Sequence, residues 1–263
     1  MKSIVCTEPG NLIIEERSDP TPPKGWVTLK MKRLGLCGTD FHIFKGLHPF
    51  LEYPRVMGHE LSGEILETPK NSRFSVGDRV IINPYLSCGN CVSCKKNKSN
   101  CCANLKVLGV HTDGGMCEFL CLPERAIYPA RGLTLSEAAM VEFLSIGAHA
   151  VSRGQLLAGS HILVIGAGPI GLGVALFASF EEACTVAILD VNPERVAFAQ
   201  NLGDGFTGFV VDDDIDQRLR EFTKGDMFDV VFDATGNAQS MEKSINYTAH
   251  GGACVFVLSL IHI

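Results

Sequence analysis

Long apolar runs are missing from this sequence, and so is an excess of positive charge. No apolar stretch approaches the roughly 18–20 residues that a membrane span needs, so no transmembrane anchor is expected. The opening MKSIVCTEPG has neither the basic region nor the apolar core of a secretory signal. Lys and Arg number 23 against 29 Asp and Glu, a formal net charge of −6. That balance argues against general attraction to nucleic acid or to an anionic membrane. Aromatic residues are 8% of the chain, with no aromatic-basic patch of the kind that stacks on nucleic acid. There is no long internal repeat and no low-complexity linker. The expected location is therefore the cytoplasm, where eleven cysteines stay reduced. An odd count with a tight cluster favours metal binding over a disulfide framework.

What is present suits a folded protein of one or two domains. The chain has 263 residues, 46% of them apolar, enough for a substantial core. Up to about residue 125 short β-prone runs, such as Gly25 to Lys32, Gly63 to Thr68 and Arg79 to Pro84, alternate with Gly, Pro and Asp. TLSEAAMVEFLSIGAHAVSR, with a Ser-x-x-Ala start, predicts two helical stretches between Leu133 and Arg153. From His161 onward apolar runs (HILVI, TVAILD, FTGFVV, FDVVFD, ACVFVL) alternate with helical patterns, including AQSMEKSINYTAH. That alternation predicts a parallel sheet covered on both faces, a doubly wound α/β domain. The expected division is 1–150 and 151–263.

GAGPIG, Gly166 to Gly171, follows the strand HILVI and opens a helix with Pro169 and Ile170, the context a dinucleotide fingerprint requires. Gly166 permits the tight turn, Gly168 lets the backbone approach a pyrophosphate, and Gly171 lets helix and strand pack. The free N–H groups of the helix start then face the phosphates. Asp190 closes the next strand, where a carboxylate accepts hydrogen bonds from an adenosine ribose and repels a 2′-phosphate. NAD is expected over NADP, with Arg195, one helical turn on, softening the preference. A glycine-rich turn that binds nothing is the alternative, but it leaves the ordered strand, helix and acid without a reason.

Cys88, Cys91 and Cys94 follow at x2 spacing, and Cys101 or Cys102 closes the set. Four thiolates suit one tetrahedral, structural Zn²⁺ with no open position. A redox Cys-x2-Cys pair and a nucleic-acid zinc ribbon are the alternatives. Three evenly spaced thiols exceed the needs of the first, and the acidic chain disfavours the second. Cys37 in LGLCGTDFH, with His59 and Glu60 in MGHELSGEI, supplies a thiolate, an imidazole and a carboxylate. Such a set can hold zinc with one position open, although taken alone these residues read more often as structural.

Together these motifs resemble the zinc-containing medium-chain dehydrogenase/reductases. Cys-Gly-Thr-Asp at 37–40, Gly-His-Glu at 58–60, Gly-Asp-Arg-Val at 77–80, the cysteine lobe at about 86–104, Gly114-Gly115 and GAGPIG stand in that family's order. Within it the chain is most similar to the sorbitol, threonine and sugar-acid branch, including L-galactonate or L-gulonate 5-dehydrogenase-like proteins. The resemblance implies a GroES-like β-barrel catalytic domain followed by a Rossmann domain. It also implies two zinc ions and NAD, a homo-oligomer, and a small alcohol or sugar-acid substrate. Cys37, His59 and Glu60 then hold the catalytic zinc. Glu142 completes the shell or holds the water, although Phe143 after it departs from the family's proline. Cys102 becomes the fourth structural ligand.

By the same resemblance the reaction is hydride transfer from a secondary alcohol to NAD. Thr39 passes the hydroxyl proton through the cofactor ribose to His42, and Asp40 orients His59. Threonine 3-dehydrogenase or a simple secondary alcohol dehydrogenase is the nearest alternative activity. An inactive, zinc-stabilised nucleotide-binding fragment is the alternative of another class. His111, His149 and His161 read as structural, Asp212 to Asp214 as a solvated turn, and Cys6, Cys117, Cys121, Cys184 and Cys254 as small core residues.

A doubly wound sheet normally has six strands, and only five are assignable, so the sequence is expected to stop before the protein is finished. Its last six residues, LSLIHI (258–263), also match a translation of CTGTCTCTTATACACATC, the end of a DNA-library transposon adapter. These residues are expected to be foreign to the protein.

Overall fold

A computed structural model describes residues 1–49, 51–182, 184–202 and 205–258. Of the closing hexapeptide, all but Leu258 lies outside the described residues. The chain forms two compact units, Met1–Glu142 and Phe143–Ile263.

The first unit is built from strands β1 (Lys2–Glu8), β2 (Asn11–Glu16), β3 (Trp26–Gly35), β4 (Arg55–Val56), β5 (Glu60–Glu67), β6 (Arg79–Ile82), β7 (Tyr85–Leu86), β8 (Lys106–Val107), β9 (Phe119–Pro123) and β10 (Ile127–Pro129). Two short helices, α1 (Gly38–Phe44) and α2 (Val92–Lys95), interrupt them. Five strands form an antiparallel sheet in the order β10-β6-β5-β3-β9. Its apolar side chains, among them Val27, Leu29, Leu61, Ile65, Val80 and Ile82, make a fully buried core. The ends of β3 and β5 are paired through Gly35 and Glu60. Cys37 lies two residues beyond one end and His59 just before the other, so sheet register fixes how near they lie.

Helix α3 (Leu135–Gly154) is a single 20-residue helix, where the sequence reading expects two stretches. Its start is a capping box two residues earlier than the Ser-x-x-Ala reading. The Thr134 N–H donates to Glu137 Oε2 at 2.7 Å, and the Glu137 N–H donates to Thr134 Oγ1 at 3.2 Å. No proline interrupts the helix, and Phe143, in place of the family's proline, lets it continue.

In the second unit β11 (His161–Ile165), β12 (Thr185–Asp190), β13 (Phe206–Val210), β14 (Phe228–Asp233) and β15 (Thr248–Phe256) are parallel, in the order β13-β12-β11-β14-β15. Helices α4 (Pro169–Ala178), α5 (Pro193–Gln200), α6 (Ile215–Phe222) and α7 (Ala238–Tyr247) connect them. Two clusters, one around Ile162, Val164, Val174 and Phe232 and one around Leu163, Ala187, Leu219 and Phe228, bury alternate side chains of the strands. The five strands are the five read from the sequence. One boundary differs: α7 ends at Tyr247, and Thr248–His250, read as helical, already belong to β15. Thr248 stands in parallel register with Phe228, and that pairing takes the segment from the helix.

Gly147 of α3 meets the backbone of Gly173 in α4 so closely that a Cβ there would lie 2.5 Å from the Gly173 carbonyl carbon. Gly147→Ala is therefore expected to lower stability by roughly 1–3 kcal/mol, the usual cost of overpacking. Urea or thermal unfolding checks this, and wild-type stability would contradict the close helix contact.

Candidate active site and cofactor site

The start of α1 organises the candidate metal centre. Cys37 is its N-cap, and Asp40 at the third helical position completes a capping box. Asp40 Oδ2 accepts the Cys37 N–H at 2.9 Å, and its Oδ1 accepts the Gly58 N–H at 3.2 Å. This one carboxylate, 3% exposed, thereby ties the backbone at Cys37 to the backbone just before His59. Gly58 has φ +96°, and a Cβ there would stand 2.3 Å from Leu34, so the turn that presents His59 needs glycine.

One ligand atom each from Cys37, His59 and Glu60 lies within 4.8 Å of the others. His59 and Glu60 are buried, and the Nδ1 of His59 has no hydrogen-bond partner. It lies 3.9 Å from Asp40 Oδ1, beyond hydrogen-bond reach. A thiol, an imidazole and a carboxylate converging with a buried ring nitrogen unpaired is a donor set that fits zinc. Burial pushes the His59 imidazole down, but the hydrogen bond to Cys37 and the charges of Asp40, Cys37 and Glu142 outweigh it and raise it to about 9. Burial, with Glu142 next, pushes the Glu60 carboxyl up.

Glu142 stands outside the three-residue set. It is buried, and its Oε1 accepts the Tyr85 hydroxyl at 2.6 Å. Burial and the Glu142 charge drive the Tyr85 phenol far upward, so it is a neutral donor. Tyr85 and Gly35 are missing from the sequence reading. A Cβ at Gly35 would fall 2.0 Å from Glu60 Oε2, so the Glu60 carboxylate occupies space that only glycine leaves. Thr39 and His42 lie three residues apart on α1, one half-buried and the other exposed. That spacing puts them on one face of the helix.

The cysteine lobe is closed at its base by β7 and β8, which pair Tyr85 with Val107 and Leu86 with Lys106. Sulfurs of Cys88, Cys91, Cys94 and Cys102 lie within 4.8 Å of one another. Cys101 is exposed and outside the set. Loop N–H groups point at the sulfurs: those of Cys94 and Ala103 lower the Cys91 thiol to about 6, and Cys102 Sγ accepts from Cys88 at 3.3 Å and Asn104 at 3.4 Å. Four thiols so placed fit a closed zinc shell.

In the second unit Gly168 is the N-cap of α4, Pro169 opens the first turn without an N–H, and Ile170 and Gly171 follow. No atom lies within 4 Å of where a Gly168 Cβ would be, whereas at Gly171 a Cβ would fall 1.7 Å from the Gly166 carbonyl oxygen. The first leaves the backbone open to a ligand, and the second packs the turn against the helix. A cavity of about 480 Å³ opens here, with Gly166, Gly168, Asp190, Arg195, Asn237 and Lys243 in its wall. Asp190 Oδ2 accepts the Ala167 N–H at 2.7 Å and its Oδ1 the Asn192 N–H at 2.8 Å. Each oxygen keeps a lone pair for a further donor. Arg195 Nη1 stands 4.0 Å from Asp190 Oδ2.

Asp40→Ala, by releasing both Cys37 and Gly58, is expected to weaken zinc at the Cys37 site about 10- to 100-fold while the cysteine lobe keeps its metal. Competition with a chelator measures this, and equal affinity in both proteins would contradict the role of Asp40.

Residues 23–132 match the alcohol dehydrogenase GroES-like domain and residues 169–258 the zinc-binding dehydrogenase family. The chain is 39% identical over 261 residues to L-galactonate-5-dehydrogenase of Escherichia coli K12, covering 98% of this chain and 76% of that protein. It is 33% identical over 265 residues to D-altritol 5-dehydrogenase of Agrobacterium fabrum, covering 97% and 76%. An alcohol dehydrogenase from Escherichia coli CFT073, solved with NADH, superposes with a TM-score of 0.88 at 33% identity, over 97% of this chain and 75% of that one. Among the described residues no helix is long and apolar enough to cross a membrane. The GroES-like and Rossmann-like architecture and these relatives agree with the resemblance carried by the motifs, and the chain belongs to the zinc-type, NAD(P)-linked alcohol and polyol dehydrogenase family.

Proposed function

We propose that this enzyme oxidises a secondary hydroxyl of a sugar acid of the L-galactonate or L-gulonate type, with NAD as hydride acceptor. The observation that carries the reading is the convergence of Cys37, His59 and Glu60 in a chain 39% identical to L-galactonate-5-dehydrogenase. Cys37 Sγ, an imidazole nitrogen of His59 and a carboxylate oxygen of Glu60 would hold a catalytic zinc, and Cys88, Cys91, Cys94 and Cys102 a structural one. When bound, the catalytic metal supplies Lewis acidity that lowers the pKa of the substrate hydroxyl, and the nicotinamide supplies the hydride acceptor.

The chain's own groups do the rest. Thr39 Oγ1 takes the hydroxyl proton, and His42, exposed on the same helix face, delivers it to solvent. Glu142, held by Tyr85, sets the charge beside the ligands. Free N–H groups of Ile170 and Gly171 face the pyrophosphate, and the spare lone pairs of Asp190 accept the ribose hydroxyls. A 2′-phosphate would meet the Asp190 carboxylate, so NAD is preferred, with Arg195 moderating the preference. Residues 1–150 form the catalytic domain and 151–263 the NAD-binding domain in this reading. A cytoplasmic location suits the reduced thiols, and a homo-oligomeric assembly follows the family resemblance.

The zinc-loaded enzyme, assayed for NAD reduction with L-galactonate, L-gulonate, sorbitol, L-threonine and a simple secondary alcohol, is expected to show its highest kcat/KM with an aldonate. No NAD reduction with any of the five contradicts the activity, and a preference for threonine or the simple alcohol contradicts the substrate class. Thr39→Val is expected to lower kcat roughly 10²- to 10⁴-fold, the usual range for a lost proton-transfer group, with zinc content unchanged. Near-normal turnover would remove the relay.

A further inference from the structure

Helix α7 carries a polar stripe that takes no part in the proposed chemistry. Ser240, Lys243 and Tyr247 stand at i, i+3 and i+7, the spacing of one helix face, and all three line the cavity of about 480 Å³ at the glycine turn. Asn237, the N-cap of α7, lines it as well, and its Oδ1 accepts the Ser240 N–H at 3.0 Å. A wholly buried carboxylate anchors this end of the helix. Asp233, at the end of β14, accepts the Thr235 N–H at 2.9 Å, the Thr235 hydroxyl at 2.7 Å and the Ser240 hydroxyl. The stripe is thereby fixed to the strand that pairs with β11, which leads into Gly166.

Lys243 is held at its tip. Its Nζ lies 3.1 Å from Asp216 Oδ1, which also accepts the Tyr247 hydroxyl at 2.6 Å, and it stands 5.8 Å from the centre of the Tyr247 ring. An ammonium has three donors, so the bond to Asp216 leaves two for a ligand. Asp216 balances the charge of Lys243, as Asp190, 4.0 Å from Arg195, does for the other cation in the wall. Cations already paired with carboxylates do not call for an extra phosphate, and they suit a neutral group with acceptor atoms. The same wall has apolar surface left uncovered. Val191 and Val211, just after β12 and β13, are 77% and 41% exposed.

In the proposed cofactor placement the fingerprint turn serves the pyrophosphate and Asp190 the ribose, and neither reads the base. Adenine joined to that ribose has flat π-faces and an edge of acceptor nitrogens. We propose that Lys243 recognises the adenine ring of the cofactor, its ammonium donating to a ring nitrogen while the ring lies against Val191 and Val211. Lys243 is then a specificity residue of the dinucleotide site that α7 supplies and the glycine fingerprint does not. The inference rests on placing the ribose at Asp190, and it is independent of which alcohol is oxidised.

Pieces of the cofactor, titrated into the whole zinc-loaded chain, test it. K243M is expected to weaken 5′-AMP about tenfold, the effect of one lost hydrogen bond from a charged group, and to leave nicotinamide mononucleotide unchanged. KM for NAD rises with it while kcat holds. Equal AMP affinity in the two proteins overturns the role of Lys243, and a loss confined to adenosine 2′,5′-bisphosphate overturns it in favour of phosphate binding. In wild-type protein adenosine is expected to shield Lys243 from acetylation by acetic anhydride, read by mass spectrometry, and ribose 5-phosphate is not. An unshielded Lys243 overturns the proposal even if K243M fails to fold. Wild-type protein that binds no AMP refutes the placement at Asp190 together with Lys243, whereas AMP binding that D190A loses and K243M keeps refutes Lys243 alone.

Discussion

The geometry of the candidate metal centre depends on one buried carboxylate. Asp40 joins two peptide N–H groups 21 residues apart in sequence, those of Cys37 and Gly58. Burying a carboxylate is costly unless it is hydrogen-bonded, and here two charge-assisted bonds offset that cost. The same bonds orient α1, and with it Thr39 and His42, against the turn that carries His59 and Glu60. A helix cap is thus also the frame of the ligand set, so local helix stability and the spacing of the proposed metal donors are fixed by the same contacts.

Tyr85 extends that frame. It belongs to β7, the strand that closes the cysteine lobe, and its hydroxyl holds Glu142. A zinc-braced lobe would steady β7 and β8, and through Tyr85 it would steady Glu142, whose charge acts on His59 and Glu60. The lobe then has a structural purpose that reaches the proposed chemistry without supplying an open coordination position. The partner strand β8 leads into a turn in which Gly109 packs against the backbone of Gly58.

Sequence alone carried the local features well. The glycine fingerprint, its strand and its helix are contiguous, the cysteines recur at fixed spacing, and each strand of the parallel sheet is a separate apolar run. Asp40 was legible as a neighbour of His59, but its two backbone acceptor roles were not, because they depend on where Gly58 folds. Nothing in spacing joins Tyr85 to Glu142 or Gly35 to Glu60, since those contacts are set by strand register and packing. The apolar spacing between Leu133 and Arg153 suits two helical stretches, whereas Leu135–Gly154 is one helix, and Gly147 sits inside it. Its close approach to Gly173 explains the glycine. The Thr134 and Glu137 cap stands in the sequence as a Thr-x-x-Glu pattern, two positions ahead of the Ser136 start.

Metal analysis combined with zinc X-ray absorption tests the central assignment most directly. Two zinc ions per chain are expected, one in a four-sulfur shell and one in a mixed shell of sulfur, nitrogen and oxygen, matching the two donor sets. A single zinc in an all-sulfur shell, or none, would contradict a zinc-dependent catalytic centre at Cys37, His59 and Glu60.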